Sequence, residues 1–249
     1  MSGHSKWATI KRKKAATDQA RGKVFSKYIK EITIAARHGG GDVDANPRLR
    51  AAIGAARAVN MPAANIERAV KRGTGEIEGV SYEEAQYEGY APGGVALLVE
   101  VATDNRNRTA GDIRHIFTKH GGNLGEAGSV AYMFKPRGLI VIEKTAVAED
   151  ALIEIALEAG ADDVESGGDL FMVLTPPAQF EAVKDALAAK GIPLQSAELT
   201  KLASVHVPLS DSEAASVLRL VEALEDHDDV QKVYANYSVS DETLARLTQ

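Results

Sequence analysis

The residues best suited to chemistry in this chain are cations, and they are unevenly spread. Residues 1–72 hold 16 Lys and Arg against 5 Asp and Glu, a net of +11, whereas residues 73–249 hold 13 against 30, a net of −17. Such a separation directs the first segment at a polyanion and leaves the rest as an acidic, solvating body. His4, Lys6, Trp7, Lys11, Arg12, Lys13 and Lys14 fall within residues 1–17, which contain no carboxylate and no apolar periodicity. That stretch is expected to be a mobile basic arm, with Lys and Arg displacing counterions from phosphate and with Trp7 and His4 stacking on exposed bases. Lys23, Lys27, Lys30 and Arg37 follow at spacings that set them on one side of a helix, and Arg68, Lys71 and Arg72 close the basic segment. A second constellation is Asp104, Asn105, Arg106, Asn107, Arg108 and Thr109. Capping accounts for an amide or a carboxylate there, but two arginines at an exposed helix N-terminus exceed what a cap needs and suggest a second contact site.

Other chemistries are excluded by residue type or spacing. Without cysteine there are no disulfides, thiolate metal sites or cysteine nucleophiles. No G-x-x-x-x-G-K-[ST] loop, H-E-x-x-H pair or G-x-S-x-G elbow occurs. The glycines of HGGNLGEAG (120–128) follow a helix instead of opening one, and are read as a helix stop plus turn. His115 and His120 are five apart and do not share a helix face, and DHDD at 226–229 is read as a solvated helix end, so no metal is expected. The expectation is a protein that is not an enzyme and needs no cofactor or small-molecule substrate. No apolar run approaches the roughly 20 residues of a membrane span, and the N-terminus lacks a signal-peptide core. A soluble, cytoplasmic location is therefore expected.

The elements that must carry these residues can be read from periodicity. Phe25, Tyr28, Ile29, Ile32 and Ala36 mark one face of a helix over 18–38, stopped by Gly39 and Gly40, with the lysines pointing outward on the other face. Asn46–Pro47 opens a second helix to Asn60, and Pro62 a third, with Ile66, Ala69 and Val70 inward and Gly73 as the stop. After a linker at 73–81, residues 83–101 predict a hairpin about APGG, 107–120 a helix, and SVAYMF (129–134) a strand. A whole βαββαβ unit is predicted within 138–200, then a strand at SVHVPL, a helix, and a strand at VQKVYANY. The fold class expected is α+β: an N-terminal three-helix domain (1–72), then two ferredoxin-like βαββαβ domains. One of these is discontinuous (82–135 with 203–240), and the other (137–201) is inserted in it.

Several stretches, GHSKWATIK, DQARGKVFSKYIKEI, GGGDVDANPRLR, NMPAANIERAVKRG, YEGYAPGG, TDNRNRT and GGNLGEAGSVAYMF, together resemble the YebC/PmpR family from Gly3 to at least Phe134. The resemblance implies a three-domain fold with the first domain helical. It also implies a choice, because the family is described both as transcriptional regulators that bind promoter DNA and as ribosome-associated translation factors, including a mitochondrial translational activator. For DNA, helices 47–60 and 62–72 would act as a helix-turn-helix. For ribosomal RNA, the arm and Trp7 would reach between RNA segments. The expectation taken forward is a non-enzymatic transcriptional regulator using its basic N-terminal domain, with the ribosome-associated factor as alternative and a small-ligand sensor as a third reading.

Overall fold

A computed structural model describes residues 21–240 together with Thr243. The expected arm, with His4, Lys6, Trp7, Lys11, Arg12, Lys13 and Lys14, lies outside the described residues. The described chain forms two compact units, residues 21–129 with 215–233 and residues 130–214 with 234–240. In sequence the two alternate, residues 130–214 falling between the segments of the first unit and residues 234–240 following them.

The first unit begins with three helices, α1 (Arg21–Gly39), α2 (Pro47–Ala58) and α3 (Ala63–Thr74). Their core is Ile32, Ala36, Leu49, Ile53, Ala56, Ile66 and Ala69, with Phe25, Tyr28 and Ile29 packed against it, which is the apolar face read from periodicity. Burying side chains of this size stabilises by roughly 1.5–3 kcal/mol each for the larger ones. Asn46 fixes the α1–α2 corner. Its Oδ1 accepts from Leu49 N at 3.0 Å, capping α2, while its Nδ2 donates to Ala35 O and Gly40 O, both at 2.9 Å. Pro47 supplies the first helical residue, where a missing N–H costs nothing. Helix α3 closes on Gly75, whose φ of 82° is the left-handed conformation that ends helices.

The chain then enters a hairpin of β1 (Glu83–Ala91) and β2 (Val95–Thr103), paired from Glu83↔Thr103 to Ala91↔Val95. Helix α4 (Arg106–Lys119) follows, then the short β3 (Asn123–Leu124). With β9 (Val230–Ala235) the sheet order is β3-β1-β2-β9. Eight of nine residues of β2 are buried, as a central strand covered on both faces should be.

The second unit holds β4 (Phe134–Glu143), α5 (Glu149–Glu158), β5 (Asp163–Gly167), β6 (Leu170–Thr175), α6 (Phe180–Ala189) and β7 (Ser196–Ala203). Its sheet is antiparallel in the order β5-β6-β4-β7, the ferredoxin-like arrangement expected of this stretch. Ile140, Ile142, Phe171 and Val173 pack with Leu152, Ala156, Val183 and Leu187 of the two helices. Segment β8 (Val207–Pro208), helix α7 (Asp211–Glu225) and β10 (Tyr237–Ser238) are the remaining elements of the described residues, β8 and β10 forming a parallel pair.

Three predicted strands differ in the structure. SVAYMF is not a separate strand: Ala131–Met133 make a 3-10 turn, closed by Met133 N donating to Val130 O at 2.9 Å, and only Phe134 enters a sheet, as the first residue of β4. The first sheet takes its remaining strand from β1 instead. SVHVPL contributes only the two residues of β8, and VQKVYANY breaks at Asn236 into β9 and β10. Among the described residues no helix is long and apolar enough to cross a membrane.

Candidate nucleic-acid interface

Residues 23, 27 and 30 sit one helical turn apart on the side of α1 away from its core, as their spacing requires. That side does not face solvent throughout. Lys23 Nζ donates to Asp226 Oδ1 at 3.3 Å and to Asp226 O at 3.2 Å, and Lys27 Nζ donates to Glu225 O at 2.7 Å. Lys30 is buried, and its ammonium donates to Asp229 Oδ1 at 2.6 Å, Asp228 O at 3.0 Å and Ala102 O at 3.2 Å. The expected outward stripe is thus corrected: Lys30 points inward, Lys27 is partly buried, and Lys23 alone of the three keeps a half-exposed side chain. Burial lowers the Lys27 pKa from its ordinary value, against the raising influence of Glu225 and Asp226.

Asp229 is the centre of this arrangement, and DHDD is not the solvated helix end expected of it. Besides Lys30, its carboxylate accepts from Thr109 Oγ1 at 2.7 Å, Arg108 Nη2 at 2.9 Å and Thr103 Oγ1 at 3.2 Å, and the residue is only 4% exposed. Burial favours the neutral acid, but the hydrogen bonds from Lys30, Thr109 and Arg108 outweigh it and hold the carboxyl well below the usual carboxylate range. His227 supports the turn, its Nδ1 accepting from Asp229 N at 3.1 Å and its Nε2 lying 3.3 Å from Asp112 Oδ2.

The same network explains much of TDNRNRT. Asn105 is the N-cap of α4, its Oδ1 accepting from Arg108 N at 3.1 Å. Arg108 bridges Asp104 at 2.7 Å and Asp229 at 2.9 Å, and Thr109 is fully buried against Asp229 and Thr103. The arginine that seemed surplus to capping is therefore engaged within the protein. Arg106 and Asn107 remain exposed, with Tyr87 Oη donating to the Arg106 carbonyl at 3.3 Å.

Of the other expected contacts, Arg37 donates to Ser81 Oγ and, at 3.4 Å, to Tyr82 O, so it tethers the linker. Arg68 is exposed, and Lys71 pairs with Glu67 at 2.7 Å across one helical turn. The Arg72 Nε is buried without a hydrogen-bond partner, at the edge of an open cleft of about 920 Å³ that also admits Lys23, Tyr82, Asp104, Asp112 and Asp226. Sequence reasoning passed over Arg48, which reaches Glu31 at 2.8 Å and Glu84 at 2.6 Å and so joins α1, α2 and β1. Hydrogen bonds from Arg48 hold the Glu84 carboxyl below its usual value. Among the described residues no group of His, Asp and Glu is placed to hold a metal ion.

A cationic three-helix bundle joined by the buried Lys30–Asp229 pair to a four-stranded sheet, with a second, antiparallel α/β sheet following in the chain, defines an α+β protein. Residues 5–76 match the family model described as the TACO1/YebC protein N-terminal domain, and residues 82–237 match that of the TACO1/YebC second and third domain. The chain is 59% identical over 249 residues, the whole of both sequences, to a probable transcriptional regulatory protein of Dictyoglomus turgidum. It is also 59% identical over 244 residues to one of Desulfatibacillum aliphaticivorans, covering 98% of this chain and 99% of the relative. The crystal structure of a conserved hypothetical protein from Aquifex aeolicus is 47% identical, covers 91% of this chain and 94% of its own, and superposes with a TM-score of 0.82. The protein belongs to the TACO1/YebC family, as its motifs suggested.

Proposed function

We propose that this protein is a non-enzymatic, cytoplasmic regulator of gene expression that binds nucleic acid through residues 1–72, acting as a transcriptional regulator on promoter DNA. The observation that carries the reading is the +11 net charge of that segment against −17 for the rest of the chain. Phosphate neutralisation supplies most of the affinity in such a pairing. The names of the relatives, probable transcriptional regulatory proteins, agree with it. The proposed contacts are the cations of the arm, from His4 to Lys14, with Lys23, Arg68, Lys71 and Arg72, and with Arg106 and Asn107 as a second position. Lys27, Lys30 and Arg108 serve the protein's own packing. On this reading residues 1–72 form the binding domain, 82–135 with 203–240 a discontinuous α/β domain and 137–201 its insert.

One residue favours the ribosome-associated alternative. Trp7 lies among lysines, where an indole stacks on splayed bases, and an intact duplex offers no free base face. The test is binding of the full chain and of Trp7→Ala to promoter duplex and to ribosomes across a salt series. The transcriptional reading expects strong duplex binding unaltered by Trp7→Ala. A stacking contact is worth roughly 1–3 kcal/mol, so a loss of about 10-fold on ribosomes alone, with weak duplex binding, would replace it with the translational one.

A further inference from the structure

The open cleft beside Arg72 has walls of opposite sign. Lys23 of α1 and Arg72 of α3 line one side, and Asp226, Asp228, Asp112 and Asp104 the other, where Arg108 offsets part of the acidic charge. Two ion pairs join the walls, and they differ in kind. Lys30–Asp229, at 2.6 Å, has side chains only 11% and 6% exposed. Opening it would strand a buried charge, so it is a permanent fastening. Lys23–Asp226, at 3.3 Å, has side chains 51% and 77% exposed. A pair of that type is weak, screened by salt and readily exchanged for another anion. Arg72 Nε, on the same basic wall, is a donor with no acceptor among the described residues, although buried donors are nearly always paired.

We infer that the turn Asp226–Asp228 is an autoinhibitory contact: the Asp226 carboxylate occupies Lys23 in the free protein and must release it before nucleic-acid phosphate can settle on the Lys23–Arg72 wall. The inference rests on the nucleic-acid reading above and adds the regulation of that surface. The Lys30–Asp229 fastening keeps the competing carboxylates at a fixed short distance, so they act at high effective concentration without any change of fold. Binding is thereby set weaker than the charge of residues 1–72 permits, which favours release from random sequence and sensitivity to ionic strength.

The experiment compares four full-length proteins on random-sequence duplex DNA and on ribosomal RNA. These are the wild type, Asp226→Asn with Asp228→Asn, the same pair with Lys23→Gln, and a charge-matched control on the second unit, Asp150→Asn with Glu154→Gln. Asp229 is retained throughout, so the fold is expected to persist, and circular dichroism checks it. Freeing one lysine for one phosphate predicts about 5- to 10-fold tighter duplex binding near 0.1 M salt and a log–log salt slope steeper by about 0.9. Lys23→Gln should abolish that gain, and the control should shift affinity less than about 2-fold, because it removes two charges without freeing a lysine for phosphate. Wild-type binding with no gain in the turn variant, a gain matched by the control, or a gain that survives Lys23→Gln overturns the inference and leaves the proposed function standing. Failure of the wild type and the turn variant alike to bind either nucleic acid at low salt overturns both.

Discussion

Replacing Asp229 by Asn changes almost no volume and removes one negative charge from the best-buried ionic site described. The carboxylate accepts from Lys30, Thr109, Arg108 and Thr103, with Lys30 on one oxygen and the other three on the second. However the amide turns, its NH2 meets donors, and the Lys30 ammonium loses its counter-charge in a site only 11% exposed. Breaking a buried pair from one side costs about 3–5 kcal/mol, and the half-exposed Arg108 can turn to water, so the lower end, about 3 kcal/mol, is expected. With a urea m-value of about 2 kcal/mol/M, the midpoint followed by circular dichroism should fall by about 1.5 M at neutral pH. The pH dependence has a definite sign. The folded pKa of Asp229 lies below the unfolded value, so its stabilisation is fully present above the ordinary carboxylate range and is lost as pH falls through that range toward the folded pKa. The wild type's advantage over Asp229→Asn should therefore shrink between about pH 5 and pH 3. A midpoint shift below about 0.3 M at neutral pH, or an advantage that widens in acid, would refute this account of the site.

Arg106→Ala and Arg108→Ala should separate cleanly: the first weakens nucleic-acid binding with an unchanged melting temperature, the second lowers the melting temperature, because only Arg108 reaches Asp229. Equal melting temperatures for the two variants would contradict that division. Asn46→Ala removes the α2 cap and leaves Ala35 O and Gly40 O without their donor, and should cost about 2–3 kcal/mol in urea unfolding. Gly73→Ala sets a methyl against the Thr33 carbonyl and within 2.6 Å of Ala36 Cβ, where α3 packs on α1, so overpacking of about 1–3 kcal/mol should exceed the gain of about 1 kcal/mol in helix propensity. A stabilised Gly73→Ala would show that the two helices part easily.

What was legible in the sequence was whatever depends on near neighbours. The apolar face of α1, the Asn46–Pro47 start of α2 and the βαββαβ order over 138–200 each rest on periods and caps within a few residues, and each is present. The lysine row of α1 was legible too, but its orientation was not, because its partners lie 72 to 203 residues further along. No local signal tells a solvated DHDD from one whose last carboxylate is the hub of a buried network. The same limit hid Arg48, whose two glutamates come from α1 and β1. SVAYMF failed for the opposite reason. It has strand-forming residue types, yet its position at a change of direction before Phe134 decides its conformation, with Tyr132 left 71% exposed.

The separation of Lys30 from Asp229, 199 residues in sequence, sets an order of events during synthesis. The three helices draw their core from residues 25–70 and can pack as soon as they leave the ribosome. At about 5–20 residues per second, roughly 8–32 s then pass before Asp229 emerges. Through that interval Lys30 has no carboxylate to bury against, and β2 presents the bare backbone edge that β9 will later occupy, the kind of edge that recruits strands from other chains. Asp229 and the strand β9 that follows it thus close both the uncompensated charge and the open edge, so a nascent chain halted before Asp229 carries two defects that a single short segment would cure.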